Sequence, residues 1–185
     1  MNSIAQGQKY DADYARDRAE IEDLMARYLF ALDYNDLDTF IEMFTEDAEF
    51  DYARGIARGK ADILQTVAGF KKAIGEIYVD EEGNPAILRH VLAHTVVRVE
   101  GDRAWTRAQW FEVADDGGRD PASGRKTPKM GTYGIYEDEL RKVDGRWLFS
   151  KRRILNEFLE GRRSGPGNPV VEMDANVRAG AEVSA

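Results

Sequence analysis

The sequence predicts an α+β fold with N-terminal helices packed on a mostly antiparallel sheet, which, where strongly curved, forms a cone-like α+β barrel enclosing a pocket. Three observations lead there. Apolar residues recur every three or four positions in the first third of the chain, and every second position from Leu88 onward. The helices precede the strands instead of alternating with them, which separates α+β from α/β architecture. The chain has 185 residues, 43% of them hydrophobic and 32% charged, enough to bury one core without staples.

The elements follow in order. Residues 1–15 are a polar lead-in to a domain spanning 16–160. Ile21, Leu24, Met25, Tyr28 and Leu32 form the apolar stripe of an amphipathic helix over 16–33. Asp36 is the candidate N-cap of a short second helix bearing Phe40, Ile41 and Phe44. Thr45-Glu46-Asp47 breaks it, and AEFDYARGIARG reads as two short strands turning near Arg54-Gly55. A third helix runs from Lys60 to Ala73, before the turn-rich EEGNP. HVLAHTVVRVEGD, RAWTRAQWFEVADD, MGTYGIYEDELRKVDG and RWLFSKRRILNEF then read as four long strands. Their turns lie at Glu100-Gly101-Asp102 and Asp144-Gly145. Between the middle pair, GGRDPASGRKTPK is too long for a tight turn and is expected at a pocket rim. Residues 161–185, rich in Gly, Ser and Pro, are expected to be a flexible or subunit-capping tail.

Composition narrows the function. Acidic residues outnumber basic ones 34 to 26, a net charge of −8, which opposes a nucleic-acid surface. The absence of cysteine excludes disulfides, thiolate metal sites and a cysteine nucleophile. No apolar run approaches the roughly 20 residues that cross a bilayer. MNSIAQGQKYDADYARD lacks the apolar segment of a secretory signal. A cytoplasmic protein without a membrane partner is expected.

Asp33 falls beside the buried helical stripe, at a C-terminal end where the macrodipole disfavours an anion. A solvated helix-end carboxylate is the bland alternative. His90 and His94, the two histidines, alternate onto one strand face with Leu92 and Val96, while Val91, Ala93, Thr95 and Val97 take the other. Both faces are apolar, so a histidine there needs a partner, and a carboxylate would orient its ring. A satisfied core histidine is the alternative. Four residues of strand separate the two rings by ~13 Å, too far to share one ion, so no metal is expected. The run Lys151-Arg152-Arg153 must split between faces, and an inward Arg152 could stabilise a developing anion. Phe50, Tyr52, His94, Trp105, Arg107, Trp110 and Tyr133 are candidate substrate contacts, with Tyr28 and Tyr136 on the same surrounding elements. Gly131 and Gly134 suggest close approach of a ligand or a neighbouring backbone.

Over 17–158 the chain resembles the SnoaL-like branch of the nuclear-transport-factor-2-like superfamily. The likeness rests on ALDYNDLDTFIEMFTEDAEFDYARG, LRHVLAHTVVRVEGDRAWTRAQWF and GRWLFSKRRI. In motif it is similar to hexachlorocyclohexane dehydrochlorinase, scytalone dehydratase and bile-acid 7α-dehydratase. In those cofactor-free lyases an aspartate ending the first helix orients a proton-abstracting histidine on the first long strand. The resemblance assigns these roles to Asp33 and His90, and catalytic roles to Tyr28 and Arg152. His94 stands where the family often has asparagine. The implied function is a cofactor-independent lyase, a dehydratase, eliminase or related carbon–carbon lyase or isomerase, acting on a hydrophobic cyclic or aromatic molecule. Alternatives in the same superfamily are a small-molecule binding or accessory protein resembling the β chain of ring-hydroxylating dioxygenases, or a polyketide cyclase or epoxide hydrolase-like enzyme. A homodimer or homotrimer is implied by resemblance.

Overall fold

The computed structural model describes residues 8–183. Asp11 caps α1 (Ala12–Asp33) by accepting from the Tyr14 N–H, so the helix starts four residues before the predicted position. Its stripe of Ile21, Met25, Tyr28 and Leu32 is buried. Asp36 caps α2 (Leu37–Glu42) in the same way, accepting from the Thr39 N–H. β1 (Phe44–Tyr52) turns into β2 (Gly55–Arg58). Thr45–Asp47 therefore lies in a strand, across an irregularity between Phe44 and Glu49. α3 (Lys60–Ile77) runs four residues past the predicted end.

β3 (Leu88–Glu100), β4 (Arg103–Ala114), β5 (Lys129–Val143) and β6 (Arg146–Asn156) form an antiparallel meander, as the period-two pattern requires. β1 pairs with β6 in parallel, giving one sheet in the order β2-β1-β6-β5-β4-β3. β2 and β3 are its edges and do not pair with each other, so the expected barrel stays an open, curved sheet. α1 and α3 lie over the concave face. Phe40, Phe44 and Phe149 are fully buried around Tyr28 between helices and sheet. Each such ring contributes roughly 1.5–3 kcal/mol by leaving water.

One irregularity matters for the site. His94 occupies a left-handed conformation with φ of 48°, and the β3–β4 register shifts there. Histidine and asparagine both tolerate that region better than most residues. From Thr95 to Glu100 the inward residues of β3 are odd-numbered, with Val97 buried. Before His94 the shift reverses the parity, so His90 faces inward and pairs across the ladder with Glu112. The predicted shared face of His90 and His94 is thus broken, and His94 is exposed.

Residues 169–183 form α4 (Pro169–Val183) instead of a loose tail. Met173 and Val177 are buried, and Asp174 lies 3.5 Å from Arg98. The 117–129 loop folds back through a bridge between Arg119 and Lys126, and Lys126 pairs with Asp80 at 2.9 Å. No residue of that loop borders the central cavity, contrary to the expected pocket rim.

Candidate active site

A cavity of about 360 Å³ lies between α1, α3 and the concave sheet face. Leu32, Val67, Phe70 and Ile74 give it an apolar roof, with Phe158 and Leu159 after β6 also on its wall. Phe50 and Tyr52 stack at one side, with ring centroids 5.9 Å apart. His90, Glu112, Tyr28, Trp110, Tyr136 and Asn156 bring polar atoms to the wall, as do Arg54, Thr66, Tyr78 and Thr132.

Asp33 ends α1 immediately behind the imidazole. The macrodipole opposes a carboxylate at a helix C-terminus, and two donors on β3 compensate. The His90 backbone N–H donates to Oδ2 at 2.8 Å, and ring Nδ1 meets Oδ1 at 2.6 Å. β3 is an edge strand, so this N–H points away from β4 and needs a partner outside the sheet. One carboxylate thereby holds both the strand and the ring. An ionised carboxylate only accepts, which places the Nδ1 proton on histidine and leaves Nε2 for the cavity. Asp33 itself borders a second, wider cleft of about 570 Å³ on the far side, with Lys71, Lys72 and Arg89. Burial pulls the Lys71 ammonium below its usual range, with Asp33 opposing that shift.

Nε2 faces Glu112 Oε2 at 3.4 Å. Oε1 of the same side chain is filled: it accepts from Tyr78 Oη at 2.6 Å, Thr132 Oγ1 at 2.6 Å and the Thr132 N–H at 3.0 Å. Gly131 leaves the room for this cluster, since a Cβ there would sit 2.8 Å from Glu112 Oε1 and 3.1 Å from Tyr78 Oη. Burial, then the Glu112 hydrogen bond, raises the Tyr78 phenol well above its ordinary value, so it stays a donor. Tyr28 is also raised, by burial first, with Arg152 opposing; burial raises Tyr136 further. Both remain neutral phenols at neutral pH.

Arg152 points inward, while Lys151 and Arg153 pair outward with Glu49, Asp51 and Glu137. It does not reach the cavity wall. Nε and Nη2 each bind Asp138 at 2.7 Å, and Thr106 Oγ1 donates to that carboxylate at 2.9 Å. The guanidinium lies against the rings of Tyr28, Phe149 and Tyr136, at 3.9, 4.1 and 4.4 Å. Burial lowers its pKa, but the Asp138 charge and hydrogen bonds more than offset this and the net shift is upward. The predicted anion contact is replaced by a closed ion pair beneath Tyr28.

Four expected substrate contacts lie away from the cavity. Trp105 and Arg107 occupy the outward face of β4, because an odd separation from Trp110 puts them on the opposite side. Arg107 pairs there with Glu137 at 3.3 Å, and Arg103 covers Trp105. Tyr133 has the opposite parity to Tyr136 and is exposed. His94 is turned out by the bulge. Glu112, Tyr78, Thr132 and Asn156 were not anticipated. For Glu112 the signal was present: it shares the inward parity of Ala104, Thr106, Ala108 and Trp110, a carboxylate on an otherwise uncharged row. Among the described residues, no group of three or more His, Asp or Glu side chains is arranged to hold a metal ion.

Helices thus lie on one face of a curved, open sheet, with a pocket between them. A SnoaL-like domain model matches residues 13–153, and the chain belongs to that family. Similar solved structures share the fold. One is an NTF2-like protein with a cystatin-like fold from Novosphingobium aromaticivorans, 24% identical, TM-score 0.64, covering 85% of this chain and 90% of that one. Another is a proposed scytalone dehydratase from the same organism, 20% identical, TM-score 0.61, covering 84% and 96%. A third is ActVI-ORFA from Streptomyces coelicolor, 20% identical, TM-score 0.60, covering 77% and 98%. No curated protein matches the sequence significantly. No helix among the described residues is long and apolar enough to cross a membrane.

Proposed function

We propose that the cavity carries out a cofactor-free elimination on a hydrophobic cyclic molecule, with dehydration of a β-hydroxy carbonyl compound as the reaction class. One observation carries this reading: His90 presents Nε2 to an apolar cavity while Asp33 holds Nδ1 from behind. Nε2 takes a proton from the carbon next to the carbonyl. The imidazolium that forms lies between the Asp33 and Glu112 carboxylates, which stabilise its charge in a site shielded from water. The C–H electron pair becomes the new double bond as the C–O bond breaks. The departing hydroxide takes the proton from Nε2, so the products are an alkene and water and His90 returns to its starting state. Tyr28, neutral and on the wall, donates a hydrogen bond to the substrate oxygen that gains charge. The apolar lining favours ring substrates over charged ones.

The test is a panel of cyclic β-hydroxy ketones, followed by the ultraviolet absorbance of the conjugated product. His90→Ala is expected to lower turnover by about 10³-fold in a protein that circular dichroism shows to be folded. Full activity in that variant removes the mechanism. Tight binding of panel members without turnover in the wild type favours a binding role instead.

A further inference from the structure

Of the buried side-chain atoms that lack a hydrogen-bond partner among the described residues, two belong to residues of the cavity wall: Trp110 Nε1 and Asn156 Oδ1. Both residues are more than nine-tenths buried, at 5% and 7% exposure. Protein interiors seldom leave such atoms unmade, because the lost hydration is not returned. The other unpartnered atoms lie elsewhere: those of Arg141, Arg152 and Arg162 belong to guanidiniums that make ion pairs through a different nitrogen, and Arg107 Nε lies 3.3 Å from Glu137.

The two residues share one row of the sheet. Trp110 is opposite Gly134 on the β4–β5 ladder, and Gly134 is opposite Asn156 on the β5–β6 ladder. Gly134 lies between them without a side chain. A Cβ there would meet Trp110 Cζ2 at 3.1 Å and the Leu155 carbonyl oxygen at 1.9 Å. Cζ2 is on the nitrogen-bearing side of the indole, so that edge overlies the glycine between the two residues. The ring is fixed there by stacking on Tyr136, with centroids 5.4 Å apart and planes 13° apart.

We propose that Trp110 and Asn156 form a subsite for a hydroxyl group of the cavity's ligand, an assignment that rests on reading the cavity as a small-molecule site. The indole N–H can only donate, and the amide oxygen accepts. A hydroxyl satisfies both at once. An ether or ketone oxygen serves only the indole, and an ammonium serves only the amide. The imidazole of His90 lies 6.0 Å from the Trp110 ring, centroid to centroid. A ring anchored by its hydroxyl on this row therefore also lies beside the base.

Calorimetric titration with 2-naphthol and with 2-methoxynaphthalene tests the proposal. The naphthol is expected to bind about tenfold or more tightly than its methyl ether. Trp110→Phe and Asn156→Leu are each expected to remove most of that preference while the ether's affinity stays within a few-fold. His90→Ala is expected to keep it, which separates the subsite from the acid–base chemistry. Circular dichroism of each variant confirms that it is folded. Equal binding of the two probes to the wild type, or a preference that survives in both wall variants, overturns the hydroxyl subsite and leaves the cavity a small-molecule site. Binding of neither probe overturns both.

Discussion

Two buried charged clusters occupy the concave side of this sheet, and they are built from similar parts. In one, Arg152 meets Asp138 through two hydrogen bonds, Thr106 adds a third, and aromatic rings pack against the guanidinium. In the other, His90 lies between Asp33 and Glu112. Asp33 is engaged by both its oxygens, yet Nε2 and Glu112 Oε2 face each other 3.4 Å apart beside open volume. Buried charge alone does not mark a site. A buried charge with an uncommitted atom on a cavity wall does.

Breaking the closed cluster should have the largest effect on the fold. Arg152→Met strands Asp138 and is expected to cost about 3–5 kcal/mol in chemical denaturation. Adding Asp138→Leu should return a substantial part of it. A loss below 1 kcal/mol in the single variant would show that the pair is not as closed as its geometry. The open cluster should respond in the opposite proportion. Glu112→Gln can keep its amide oxygen toward Tyr78 and Thr132 and donate its N–H to His90 Nε2, so stability is expected to change by only about 1 kcal/mol or less. Turnover on the responding panel substrate is expected to fall about 100-fold. Unchanged kinetics in a folded protein would confine Glu112 to a structural role. The smallest effect belongs to a half-buried surface pair, Asp80 with Lys126. Hydrogen bonds from Lys126 first, then from backbone N–H groups, hold the Asp80 carboxyl down at about 2. Its folded value lies below the ~3.9 of an unfolded chain, so the tether contributes above pH 4 and fades toward pH 2. A carboxyl carbon titration by NMR should show a midpoint near 2. A midpoint near the ordinary value would dissolve the tether.

The helix-then-strand order, the Asp36 cap and the Asp33–His90 juxtaposition were legible, the last through family likeness. Three misplaced residues were decidable from alternation alone. Trp105, Arg107 and Tyr133 have the wrong parity relative to Trp110 and Tyr136. The bulge was not legible, because a histidine with positive φ leaves no mark in a run of apolar residues. That single extra residue decides that His90 meets Glu112 at all. Tyr78 was hidden for a different reason: it follows the last turn of α3, in a segment with no periodicity, and reaches Glu112 across 34 residues. Arg152 was read as available because sequence shows a cation's face but not its partner. Asp138, on the adjacent strand, is opposite it in the ladder.

Asp33 grips a backbone amide and a ring nitrogen with its two oxygens, and both of those partners are hydrogen donors. An amide in its place cannot copy this. Asparagine has one oxygen and one NH₂, so whichever way it turns, hydrogen confronts hydrogen at either the strand or the imidazole. The commonest charge-neutral swap at this position would therefore unlatch the edge of the sheet or flip the tautomer of its histidine. Neither result would be a simple deletion of charge.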